Sequence, residues 1–98
     1  MNMQAMLKQA QNLQKEMLKT QEKINNMEFI GTSSFVTVKI NGKKELIDLK
    51  IDTDNLDKEE IEMLQDMIII AINEAQKKVD KEIESKMGAY TQGIPGLF

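Results

Sequence analysis

The chain has 98 residues, of which 41% are hydrophobic, with a formal net charge of −3 and neither Cys nor His. One small domain over 1–98 is the expectation at this length. The lack of Cys and His excludes disulfides, thiol chemistry, Cys/His zinc sites and His-based acid–base catalysis together.

Residues 2–28 hold no Gly or Pro, and their apolar residues recur at helical spacing. Met3, Ala10, Met17 and Ile24 repeat every seven residues, as do Met6, Leu13, Thr20 and Met27. This pattern predicts one long amphipathic helical arm. Some 25 helical residues rise about 37 Å, which is longer than one small sheet can cover. Part of the arm is therefore expected to project or to pack on a partner chain. Opposite the apolar face, Lys8, Asn12, Lys15, Lys19 and Lys23 fall within about 80° of one another on a helical wheel. Two readings of that stripe stay open: the solvated face of an ordinary amphipathic helix, or a ladder of phosphate contacts.

A small antiparallel sheet is expected over 29–52. Glu28 to Gly31 offers a short first strand, and Gly31 to Ser34 (GTSS) reads as a break. Val36, Val38 and Ile40 then alternate with Thr37 and Lys39. Asn41-Gly42 is a strong hairpin signal, with a longer loop through Lys43-Lys44 as the alternative. Ile47, Leu49 and Ile51 alternate with Asp48 and Lys50. One face is apolar and the other polar, so the sheet is covered on one side only.

The cover is a second helix, expected over 57–87. Asp54 or Asp57 supplies the N-cap, and acids crowd the first turn, where the helix dipole favours them. Ile61, Leu64, Ile68, Ile72, Ala75, Val79 and Ile83 form a stripe that runs on to Met87. The segment Met67–Ile72 (MIIIAI) is apolar all round, and such a helix is buried all round. A core with no Trp and eight Met also specifies itself poorly, and small cores are marginal. A homodimer follows as an expectation, with Met67, Ile69, Ile70, Ile47 and Leu49 at its interface. Gly88 reads as a C-cap, leaving a flexible tail over 88–98 with Leu97 and Phe98 available to dock.

The charge is unevenly spread. Residues 1–27 carry Lys8, Lys15, Lys19 and Lys23 against Glu16 and Glu22, for +2. Residues 57–74 carry Lys58 against Asp57, Glu59, Glu60, Glu62, Asp66 and Glu74, for −5. Residues 75–87 return to +1, with Lys77 and Lys81 on a weaker basic patch beside Glu74 and Glu84. The run Asp52 to Asp57 resembles a calcium loop only superficially: its fifth and sixth positions are Leu56 and Asp57, and the twelfth is Met63 where Glu is needed. Glu59, Glu60 and Glu62 are accompanied by no nucleophile, phosphate-cradling Gly loop or metal cluster, so neither an enzyme nor a cofactor is expected. The start MNMQAMLKQAQ is too polar for a signal peptide, and the longest apolar run is too short to span a bilayer. The expectation is a soluble cytoplasmic protein with no membrane partner.

Four segments in this order, MQAMLKQAQNLQKEM, VTVKINGKKELIDLKID, EMLQDMIIIAINEA and KMGAYTQGIPGLF, resemble the YbaB/EbfC family of bacterial nucleoid-associated proteins. The resemblance covers nearly the whole chain. It implies an α+β fold of helix, small sheet and helix, and a tweezer-like homodimer. It also implies double-stranded DNA as the partner, bound by the terminal helices in the nucleoid. On this chain the matching positions are the exposed residues of helix 2–27 and of the arm 75–87. Thr53 and Lys58 stand where the family often has Pro, and no Arg occurs among the thirteen basic residues. Arg suits fork-like reading of guanine, whereas Lys suits phosphate, so low sequence preference is expected, leaning to A·T-rich DNA through groove width. The rival expectation is a protein-interaction module associated with recombination or replication machinery, which the eight Met and the net acidity would suit.

Overall fold

Asn2 opens the first helix by accepting the Gln4 N–H on its side-chain oxygen at 3.0 Å. In the computed structural model, which describes residues 2–93, the chain then runs α1 (Met3–Asn25), β1 (Glu28–Ser33), β2 (Val36–Asn41), β3 (Leu46–Ile51) and α2 (Lys58–Gly93). Two long helices thus flank a three-stranded antiparallel sheet of order β1-β2-β3, an α+β arrangement. The molecule is elongated, 71 × 21 × 14 Å. Asp57 caps α2 by accepting the Glu60 N–H at 2.9 Å.

Three expected boundaries move. The first helix stops at Asn25 instead of 28, because Asn26 takes the cap position and Glu28 already pairs with Asn41 across the sheet. The break expected at Gly31–Ser34 falls later: β1 continues through Gly31 to Ser33, and the turn is Ser34-Phe35, with Ser34 left-handed at φ 53°. Gly31 serves close packing instead, since a Cβ there would run into the carbonyl oxygen of Ala71 on α2. Gly88 does not end the second helix, which continues to Gly93. A mid-helix Gly costs roughly 1 kcal/mol; the packing of buried Met87 and half-buried Tyr90 on either side offsets it. Tyr90 Oη meets Thr20 Oγ1 of α1 at 3.4 Å. The expected docking of Leu97 and Phe98 lies outside the described residues.

The hairpin is built on the longer loop and not on a two-residue Asn-Gly turn. Asn41 Oδ1 accepts the N–H groups of Lys43 and Glu45 at 2.9 and 3.0 Å, and Lys44 carries the positive φ of 66°. The register slips between Lys39 and Ile40, so Leu46 faces Ile40 and Ile47 becomes the extra residue of a bulge. The expected Ile47–Leu49–Ile51 face is therefore a Leu46–Leu49–Ile51 face.

The core gathers Phe29, Val36, Val38 and Ile40 of the sheet under Met67, Ala71, Ala75 and Val79 of α2. Small residues on both sides, Gly31 against Ala71 and Ala75, let the helix backbone settle close to the strands. This packing covers β1 and β2 and leaves all of β3 exposed. The two edges of the sheet differ in the same way. At β1, the Lys78 ammonium donates to the Ile30 carbonyl at 2.7 Å, and Glu74 Oε2 accepts the Thr32 N–H at 3.4 Å. At β3, the Asp52 N–H reaches the Phe35 carbonyl at 2.8 Å. The antiparallel alternation then aims the backbone groups of Leu49 and Ile51 away from β2.

Candidate nucleic-acid interface

The residues of the basic stripe stand on α1 as expected from the wheel. Lys8, Asn12, Lys15, Lys19 and Lys23 are all exposed. Half-buried Leu13, Met17 and Thr20 and buried Ile24 lie on the other face. Everything from Asn2 to Asn12 is exposed, so the first three turns of the arm stand clear of the body. Met3, Met6 and Leu7 share this free part, at 82%, 50% and 61% exposure.

Among the described residues, the ion pairs are Lys39–Glu28, Lys44–Asp80 and Lys78–Glu74. No lysine of the α1 stripe enters them, and neither do Lys77 and Lys81, which are exposed on α2. Those two flank Asp80, whose carboxylate is matched by Lys44 at 2.7 Å. Lys78, between them in sequence, is committed to the Ile30 carbonyl and to Glu74. The β2–β3 loop at 42–45 touches both helices, through Gly42 at the last turn of α1 and through the Lys44–Asp80 ion pair on α2. Gly42 donates its N–H to the Asn25 carbonyl at 3.3 Å, and a Cβ there would strike the carbonyl of Ile24. This loop was legible only as a turn; the Lys43-Lys44 pair after Asn41-Gly42 is the one sequence feature that marks it.

The residues expected at a dimer interface divide. Met67 lies in the chain's own core at 9% exposure, because its turn of α2 faces the strands. Ile69, Ile70, Ile47 and Leu49 remain exposed. Leu46 and Ile51, not among the residues expected at the interface, join them on the uncovered strand. No described group of His, Cys, Asp or Glu is arranged to hold a metal ion. No helix among the described residues is long and apolar enough to cross a membrane.

Residues 1–94 match the model of the YbaB/EbfC DNA-binding family. The chain belongs to the YbaB/EbfC DNA-binding family. Among YbaB/EbfC-like relatives, a nucleoid-associated protein of Enterococcus faecalis is 48% identical over 98 residues, covering 98% of this chain and 94% of the relative. A nucleoid-associated protein of Lactococcus lactis subsp. cremoris is 46% identical over 97 residues, covering 97% of this chain and 98% of that one. The crystal structure of an uncharacterized protein from Helicobacter pylori shares the fold, with a TM-score of 0.71 and 28% identity, over 94% of this chain and 97% of that one. This chain carries its order of helix, sheet and helix with a basic surface made of Lys alone.

Proposed function

We propose that this protein is a nucleoid-associated DNA-binding protein of the bacterial cytoplasm that acts as a homodimer. Its lysines hold duplex DNA by the phosphates, with low sequence preference. The observation that carries the reading is the α1 arm. Four exposed lysines, without ion pairs among the described residues, run along a helix whose outer turns stand clear of the body. A flexible ammonium is a point charge suited to phosphate, and each phosphate neutralised releases counterions, so binding must weaken steeply with salt. The chain's net charge of −3 does not oppose this, because the acids concentrate at the start of α2.

Self-association is supported by the uncovered apolar face of β3 together with exposed Ile69 and Ile70 on α2. A second copy supplies a matching surface by symmetry. Mobility shift of a duplex at low and high salt tests the DNA reading. Binding that does not weaken as salt rises would remove the phosphate mechanism, and absence of binding would remove the function.

A protein-interaction role, at recombination or replication machinery, is the second reading. Exposed Met3, Met6 and Leu7 at the free end of α1 favour it, as adaptable apolar side chains do at promiscuous surfaces. A chain that stays off DNA at low salt while remaining folded would favour it over the first.

A further inference from the structure

We propose that the β2–β3 loop is a DNA-contacting element in its own right, with Lys43 as its phosphate ligand. The inference rests on the DNA-binding reading above and extends it to a residue outside both helices. Three observations carry it.

The first is position. Gly42 is pressed against the last turn of α1, the turn that carries Lys23. Lys44 reaches the other way and pairs with Asp80 of α2. Lys43 is the residue between these two anchors. It therefore stands on the short link between the α1 turn that carries Lys23 and the α2 turn that carries Asp80, in a loop outside both helices.

The second is rigidity. Asn41 ties the loop from inside: its side-chain oxygen accepts from Lys43 and Glu45, and its carbonyl accepts the Lys44 N–H at 2.9 Å. Its own N–H donates to the Glu45 carbonyl at 3.0 Å. A backbone held this way places the base of the Lys43 side chain at a fixed point, so that only the side chain itself loses freedom on binding.

The third is charge. Of the hairpin's other lysines, Lys39 pairs with Glu28 at 3.5 Å and Lys44 with Asp80 at 2.7 Å, while Lys50, further along β3, enters none of the ion pairs among the described residues. The loop's one carboxylate, Glu45, accepts from Asn41 Nδ2 at 2.9 Å. Lys43 is exposed and enters none of the ion pairs among the described residues. Together with Lys23 it also offsets the partial negative charge at the carbonyl end of α1, which would otherwise repel a phosphate arriving at this junction.

The test compares the salt dependence of duplex binding for the full chain and for Lys43→Gln, Lys43→Arg and Lys58→Gln, with circular dichroism to confirm the fold of each. Lys43→Gln is expected to make the plot of log affinity against log salt shallower by about 0.9 per chain, about 1.8 per dimer. Lys43→Arg is expected to restore the slope. Lys58→Gln, an equal charge loss at the exposed start of α2, is expected to leave it unchanged. A Lys43→Gln slope equal to wild type, or matched by Lys58→Gln, overturns the proposal. If the full chain shows no salt-dependent binding, the DNA reading falls and this falls with it. If binding responds to changes in the α1 stripe and not to Lys43, only this inference falls.

Discussion

If the protein is the homodimer proposed above, a carboxylate at position 49 should break it while leaving the protomer core untouched. Leu46, Ile47, Leu49 and Ile51 keep 50%, 51%, 39% and 37% of their surface exposed in the single chain. Fully burying one such side chain is worth about 1.5–3 kcal/mol. The four together expose nearly two side chains' worth, so closing this strand contributes roughly 3–5 kcal/mol per copy, doubled in a symmetric pair. Association itself costs on the order of 4–15 kcal/mol. Strand β3 and the exposed isoleucines of α2 must therefore act together, with little surplus. Leu49→Asp removes about 1 kcal/mol of burial from each copy and places an unpaired carboxylate in the interface at a cost of several kcal/mol. Dimer affinity should fall by at least about 1,000-fold, the equivalent of about 4 kcal/mol. Sedimentation equilibrium at micromolar concentration reads this directly. Lys50→Glu, on the polar face of the same strand, is the matched control and should stay dimeric. A wild-type monomer, or a Leu49→Asp dimer as tight as wild type, would refute the reasoning.

Changing Lys8, Lys15, Lys19 and Lys23 together to Gln removes eight charges per dimer; if half of them meet phosphates, the slope of log affinity against log salt shrinks by about 3 to 4. An unchanged slope in a still-dimeric variant would take the site off α1. Gly31→Ala forces a Cβ into the Ala71 carbonyl, and because the obstacle is backbone the loss should reach about 3 kcal/mol, the upper end for overpacking, measured by urea unfolding. Stability within 0.5 kcal/mol of wild type would mean that α2 can lift freely. Selection from a random duplex pool should enrich no more than a loose compositional bias. Recovery of a defined six-base-pair motif bound about a thousandfold more tightly than bulk DNA would contradict phosphate-led binding.

Much of the fold was legible because it is locally encoded. The seven-residue recurrence from Met3 to Met27 marked α1, and alternation across Val36–Ile40 marked β2. What escaped depends on contacts distant in sequence. Gly31 looks like punctuation until the backbone of Ala71 is seen above it. Gly88 looks like a stop until Met87 before it is seen to be buried and Tyr90 beyond it is seen to meet Thr20 of α1. The bulge that moves Leu46 into register with Ile40 has no composition of its own. Of the candidate site, the α1 stripe could be read from helical periodicity alone. Met67 was indistinguishable from Ile69 and Ile70 within an all-apolar run, and only the docking angle of α2 assigned it inward. Lys43 was hidden for a related reason. Its place between two helices is a product of Gly42 meeting α1 and Lys44 meeting α2, neither of which leaves a periodic trace.

The unequal edges of the sheet limit how far the protein can polymerise. On the outer side of β1 the Ile30 carbonyl and the Thr32 N–H are already taken by Lys78 and Glu74, so a strand adding there would first have to displace both. A copy joining at β3 uses up the only open edge of each sheet and presents a blocked one at either end. On that arrangement growth by strand addition would terminate at two, and fibres of stacked chains are disfavoured although β3 is exposed along all six of its residues. If the protein pairs and binds DNA as proposed, any larger array would be organised by the nucleic acid, and its size would follow the DNA's length and occupancy.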